Sequence, residues 1–125
     1  GMRHERRLYL DVAADELRGE DGLVPVSPGE AGEAGRRFIP FKIRFHVHPD
    51  VSASLARDGK SVLLRAGEDH HGWWLRNDAQ SADIETSVYF QDGKPRRAQQ
   101  VVLRGQARAE SGAKVRWKLT SAAPG

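Results

Sequence analysis

Cysteine is absent from the 125 residues, which excludes a disulfide framework, a thiolate zinc site and a cysteine nucleophile together and leaves the redox compartment open. No stretch approaches the ~20 consecutive apolar residues of a membrane helix. The start, Gly1-Met2-Arg3-His4-Glu5-Arg6-Arg7, lacks the apolar core of a signal peptide. A soluble chain with no membrane partner is therefore expected, and Gly1 ahead of Met2 reads as a cleavage scar. One-sided charge is also lacking: 20 basic residues against 17 acidic ones leave only +3. The basic residues mostly alternate with apolar ones, so they predict a solvated sheet face and no nucleic-acid partner. Helical patterning is missing too, since Asp15 to Glu20 would form one turn at most.

What the chain does contain is period-two alternation between turn signals. Arg6 to Val12 sets Leu8, Leu10 and Val12 against Arg7, Tyr9 and Asp11, the pattern of a half-buried strand. Leu17 to Val26 continues as an extended piece. Phe38 to His48 places Phe41, Ile43, Phe45 and Val47 on one face and Lys42, Arg44, His46 and His48 on the other. Ser52 to Arg57 and Ser61 to Ala66 flank Asp58-Gly59, which predicts a tight hairpin, and Asp92-Gly93 predicts a second turn. Trp73 to Asn77, the run Ile84, Thr86, Val88 and Phe90, Gln99 to Ala107, and Lys114 to Thr120 complete about nine short strands. The expected fold is all-β, a two-sheet antiparallel β-sandwich. A single domain over residues 4–121 is expected, with a glycine-rich loop at about 27–37 and a frayed end at 122–125. Phe41, Phe45, Val62, Leu64, Val88, Leu103 and Trp117 are the predicted core.

Residues with chemical potential are few. His46 and His48, two apart on a strand, project to one side and are the candidate metal ligands, with Asp50, Asp69, His70 and His71 as conceivable additions. Their alternation with Lys42 and Arg44 equally predicts a polar face, and no third ligand is placed by the sequence, so no metal or other cofactor is expected. Trp73 and Trp74 are adjacent, so one points inward and the other outward. An outward tryptophan beside Arg76 and Asn77 would suit a sugar, the ring stacking on the pyranose and the polar groups taking hydroxyls. It would equally serve to cover the core edge. Arg96, Arg97, Arg104 and Arg108 form a basic stripe. No serine sits in a nucleophile elbow, and Gly59-Lys60-Ser61 lacks the upstream glycine and following helix of a phosphate loop. Glu20-Asp21 and Asp83 with Glu85 read as ordinary strand and turn carboxylates.

The order of Arg6-Arg7-Leu8-Tyr9-Leu10, Leu17-Arg18-Gly19-Glu20-Asp21, Arg44-Phe45-His46-Val47-His48-Pro49, Asp58-Gly59-Lys60-Ser61-Val62-Leu63-Leu64 and Ser87-Val88-Tyr89-Phe90 resembles the C-terminal part of heparinase II/III-like proteins. The resemblance runs from about His4 to Leu119. It implies a parent of the polysaccharide-lyase type, an α/α toroid followed by a β-sheet region, cleaving acidic polysaccharide by β-elimination, and it suggests a periplasmic setting. The family's catalytic tyrosine, histidine and asparagine and its metal ligands lie in segments that would precede residue 4, so none is carried onto this chain. The implied partners are an upstream catalytic domain of the same protein and acidic polysaccharide. β-Elimination needs a base at C5, an acid for the leaving oxygen and neutralisation of the uronate, all converging in a cleft. Two tyrosines, Tyr9 and Tyr89, each in a strand, do not promise that convergence. Two further readings stay open: a stand-alone carbohydrate-binding sandwich, or a small metal-dependent barrel enzyme built on His46 and His48.

Overall fold

A computed structural model describes residues 2–25, 37–67 and 71–122. Among them are nine strands and no helix: β1 (Met2–Asp11), β2 (Glu16–Pro25), β3 (Phe38–Val47), β4 (Val51–Leu55), β5 (Val62–Ala66), β6 (His71–Asn77), β7 (Ser81–Gln91), β8 (Lys94–Arg108) and β9 (Ala113–Ala122). They build two antiparallel sheets, one six-stranded in the order β1-β2-β9-β6-β5-β4, the other three-stranded in the order β3-β8-β7. The all-β sandwich expected from the alternation is the fold. Most of the glycine-rich stretch at 27–37 and most of the expected frayed end lie outside the described residues; Arg37 precedes β3 and Ala122 closes β9.

The inner faces follow the alternation. Val62, Leu75, Val115 and Trp117 of the large sheet meet Ile43, Ala82, Val101 and Leu103 of the small one, with Phe41, Phe45 and Leu64 partly buried against them. Phe45 meets Trp117 edge to face at 5.2 Å between ring centroids, a favoured aromatic geometry. The Trp117 indole lies over Gly19 of β2, where an added Cβ would fall 2.0 Å from Trp117 Cζ2. Only glycine fits there.

Three sequence expectations need correction. Leu8 and Leu10, opposite Gly19 and Leu17 of β2, face the inner side as predicted but are 58% and 71% exposed, and Val12, in the turn past the end of β1, is 80% exposed. Six strands are wider than three, and β1 at the flank projects past the small sheet. Val88, expected in the core, is 60% exposed, and Phe90 is exposed as well. β3 stops pairing at Val47↔Gln99 while β7 and β8 run on to Gln91↔Lys94, so this arm extends beyond its cover. Asp92 and Gly93, with φ of 52° and 76°, form the expected two-residue turn at its tip. Asp58-Gly59, by contrast, belongs to a wider loop. Ala56 and Ser61 close it through a backbone bond of 2.9 Å, and the Asp58 carboxylate accepts from the Lys60 and Ser61 amides at 2.9 and 2.8 Å. The Ser61 hydroxyl and these amides hold the Asp58 carboxyl down at about 2.

Candidate functional site

The outer face of the six-stranded sheet gathers cations. Register places Tyr9, Arg18, Lys118 and Arg76 across β1, β2, β9 and β6 in one row, because β9 pairs with β2 on one side and β6 on the other. The neighbouring row carries Arg7, Glu20 and Arg116. Two carboxylates serve four cations here. Glu16 accepts from Arg18 at 2.7 Å and lies 3.5 Å from Lys118; Glu20 lies 3.0 Å from Lys114 and 3.8 Å from Arg116. Arg18 is the main cause holding the Glu16 carboxyl below its ordinary value, and Lys114 that for Glu20. Together Tyr9, Arg18, Arg76, Arg116 and Lys118 line a shallow groove of about 860 Å³, whose wall also holds Asp11, Glu20 and Asp78.

Both tryptophans of β6 lie where alternation predicts. Trp73 shares the side of buried Leu75 and meets His71 at 5.0 Å between ring centroids. Trp74 is on the outer side with Arg76, whose guanidinium sits 5.2 Å from the Trp74 ring centroid. Arg76 Nη1 also reaches Thr120 Oγ1 at 3.5 Å. Arg76 thus lines the cationic groove with Trp74 beside it, whereas Trp73 is half-buried on the opposite side of β6.

The histidines stand elsewhere. His46 is on the outer side of β3, in the other sheet, and His48 follows just past the end of that strand, alongside a charge ladder in which Arg44 donates to Glu85 at 3.0 Å and Arg104 pairs with both Asp83 and Glu85. Arg44 leads the causes that keep the Glu85 carboxyl low. His48 Nδ1 accepts the Asp50 amide at 3.1 Å. His71 lies on β6 of the large sheet, with Nε2 3.3 Å from Ser121 Oγ, so it is not brought to His46 and His48. Asp69 and His70 lie outside the described residues. Among the described residues no three His, Asp or Glu side chains are grouped to hold a metal.

Two groupings escaped the sequence reading. His48 and Tyr89 approach at 5.4 Å between ring centroids, and Arg96 reaches Asp50 at 3.0 Å beside them. This brings a tyrosine, a histidine and an arginine together, with His48 and Tyr89 exposed. The second grouping is internal. Asp21, 2% exposed, accepts from Arg6 Nε at 2.7 Å and from the Trp117 indole at 2.7 Å, with His4 Nε2 2.5 Å away. Burial pushes its carboxyl up, but the bonds from Arg6, Trp117 and His4 outweigh burial and hold it below the ordinary value. A hairpin reading of β1 and β2 would have revealed this, because pairing Asp11 with Glu16 sets Arg6 opposite Asp21.

Comparison with known proteins adds two findings. Residues 1–118 match the family described as heparinase II/III-like, C-terminal. The chain is also 56% identical over 123 residues to the FtsZ-localized protein C of Caulobacter vibrioides, an alignment covering 98% of this chain and 21% of that protein. The chain therefore spans about a fifth of this relative's length. No solved structure matches it.

Proposed function

The chain belongs to the heparinase II/III-like C-terminal family, and from that premise we propose that it is a non-catalytic C-terminal sandwich serving a longer parent, to which it offers a cationic face for acidic polysaccharide. The row Arg18, Lys118 and Arg76 beside Trp74 carries this reading. Cations in excess of their carboxylates attract sulfates or uronates, and an aromatic ring flanked by arginine offers stacking to the sugar between them. Heparin is the probe. Binding to the 125-residue chain is expected to weaken as salt rises and to fall several-fold in Arg18→Glu with Lys118→Glu, but not in Lys42→Glu on the opposite sheet. Undiminished binding by the double variant would sink the assignment of this face. Incubation should yield no unsaturated uronate chromophore; a product that disappears on Tyr89→Phe or His48→Ala would overturn the non-catalytic reading.

A second reading concerns the parent and rests on the 56% identity to a protein named for its localisation with FtsZ. The parent is proposed to share that localisation. A fluorescent fusion of the full-length parent should collect at division sites in an FtsZ-dependent manner, and a diffuse signal would refute it.

A further inference from the structure

Among the described residues little covers the ten-residue strand β1. Apart from Met2 and Glu5, which are partly covered, each of its residues is exposed on whichever face it occupies. Singly exposed apolar residues are unremarkable, but Leu8 and Leu10 form a strip on the side where the rest of the large sheet is covered. The small sheet stops short of this strip. Its β3 flank lies toward β1, where the Arg6 guanidinium sits 4.9 Å from the Phe45 ring centroid.

Among the described residues β3 pairs on one side only, with β8, and which side is left without a partner can be worked out. The Ala109 amide donates to the Arg37 carbonyl at 3.0 Å, and the β3–β8 register continues without a bulge from Phe38↔Arg108 to Val47↔Gln99. In an antiparallel ladder bonded pairs alternate. The odd-numbered residues of β3 therefore bond to β8, and the amides of Lys42, Arg44 and His46 point out of the sheet. Pro40 falls in the same outward set, the place where a proline forfeits no ladder bond. Among the described residues, the half of β3 after Pro40 keeps an uninterrupted row of donors and acceptors outside any ladder.

We propose that an extended segment of the parent polypeptide, preceding this chain, adds a fourth strand to the free edge of β3 along Phe41–Val47 and covers the apolar strip of β1 from above. This rests on the reading of the chain as one domain of a longer protein. A strand paired to β3 would lie about 4.8 Å beyond it and about 10 Å above the large sheet, which is the spacing at which its inward side chains meet Leu8 and Leu10. Backbone pairing supplies affinity, and the strip selects alternate apolar residues in the added strand. A relative of which this chain makes up 21% has ample polypeptide to provide it.

Amide hydrogen exchange on the full-length parent and on the 125-residue chain tests the proposal. In the chain alone the Lys42, Arg44 and His46 amides should exchange freely, and in the parent they should slow on the order of a hundredfold, while Ile43 and Phe45, bonded to β8, are protected in both. Leu8→Lys with Leu10→Lys in the parent should abolish the added protection, yet leave the melting temperature of the 125-residue chain nearly unchanged. Should that variant parent fail to fold, the wild-type comparison still decides. Equal exchange of the three amides in both proteins overturns the proposal, as does protection that arises in the chain alone on concentration, which would make a second copy the occupant. Protection confined to other surfaces in the parent would refute the added strand and leave the domain reading intact, whereas no protection anywhere would count against both.

Discussion

β1 and β9 are both ten-residue strands of the same sheet, and both turn large apolar residues to its inner face, Leu8 and Leu10 beside His4 and Arg6 in β1 and Val115, Trp117 and Leu119 in β9. Val115 and Trp117 of β9 are nonetheless 3% and 7% exposed, whereas Leu8 and Leu10 of β1 stand open to solvent. These apolar residues are alike in kind; their neighbours are not. β9 lies between β2 and β6 beneath the small sheet, and β1 is the outermost strand, beyond that cover. Alternation decides which face of a strand turns inward. Burial depends on what the rest of the chain lays over that face.

Mutations can break this contrast if it is wrong. The largest effect is expected for Trp117→Ala, which removes the ring under Phe45 and the donor to Asp21 and should cost about 3–5 kcal/mol in urea unfolding. A loss under about 1 kcal/mol would mean that β9 is no better packed than β1. Asp21→Asn comes next, because Asp21 is the point at which β1, through Arg6, and β9, through Trp117, meet on β2. Trading that carboxylate for an amide should cost about 1–3 kcal/mol near neutral pH. Its carboxyl is held below its unfolded value near 3.8, so its contribution is complete above that value and is lost as pH falls through the lower folded one. The difference between wild type and Asp21→Asn should accordingly shrink in acid, and a difference that grew there would reverse the assigned direction. The smallest effect is expected for Leu10→Ala in the 125-residue chain, within about 0.5 kcal/mol. A cost comparable to that of Trp117→Ala would show that β1 is covered after all.

Much of the architecture was legible because it is local. Period two marked the strands, Asp92-Gly93 marked the turn at the tip of the arm, and the i, i+2 relation put Trp74 and Arg76 on one face and Trp73 on the other. What was not legible depends on pairings remote in sequence. Arg18 and Lys118 join Arg76 only because β9, the last strand, inserts between β2 and β6, and nothing local announces that insertion. The exposure of Val88 likewise follows from where β3 stops, not from the β7 sequence. Asp58-Gly59 misled for a different reason: the Asp58 side chain captures two amides and a hydroxyl, which stabilises a wider loop than the dipeptide alone implies.

The indole resting on Gly19 also constrains how this chain can change through descent. An alanine arising first at position 19 would have to displace a ring on the backbone of a central strand, so that path is closed while Trp117 remains. A smaller residue arising first at 117 opens the space, but it leaves Phe45 without its edge-to-face ring and Asp21 without the indole donor. The two sites are thereby locked into one inheritance unit, and among relatives that retain the tryptophan opposite this position, glycine is expected without exception.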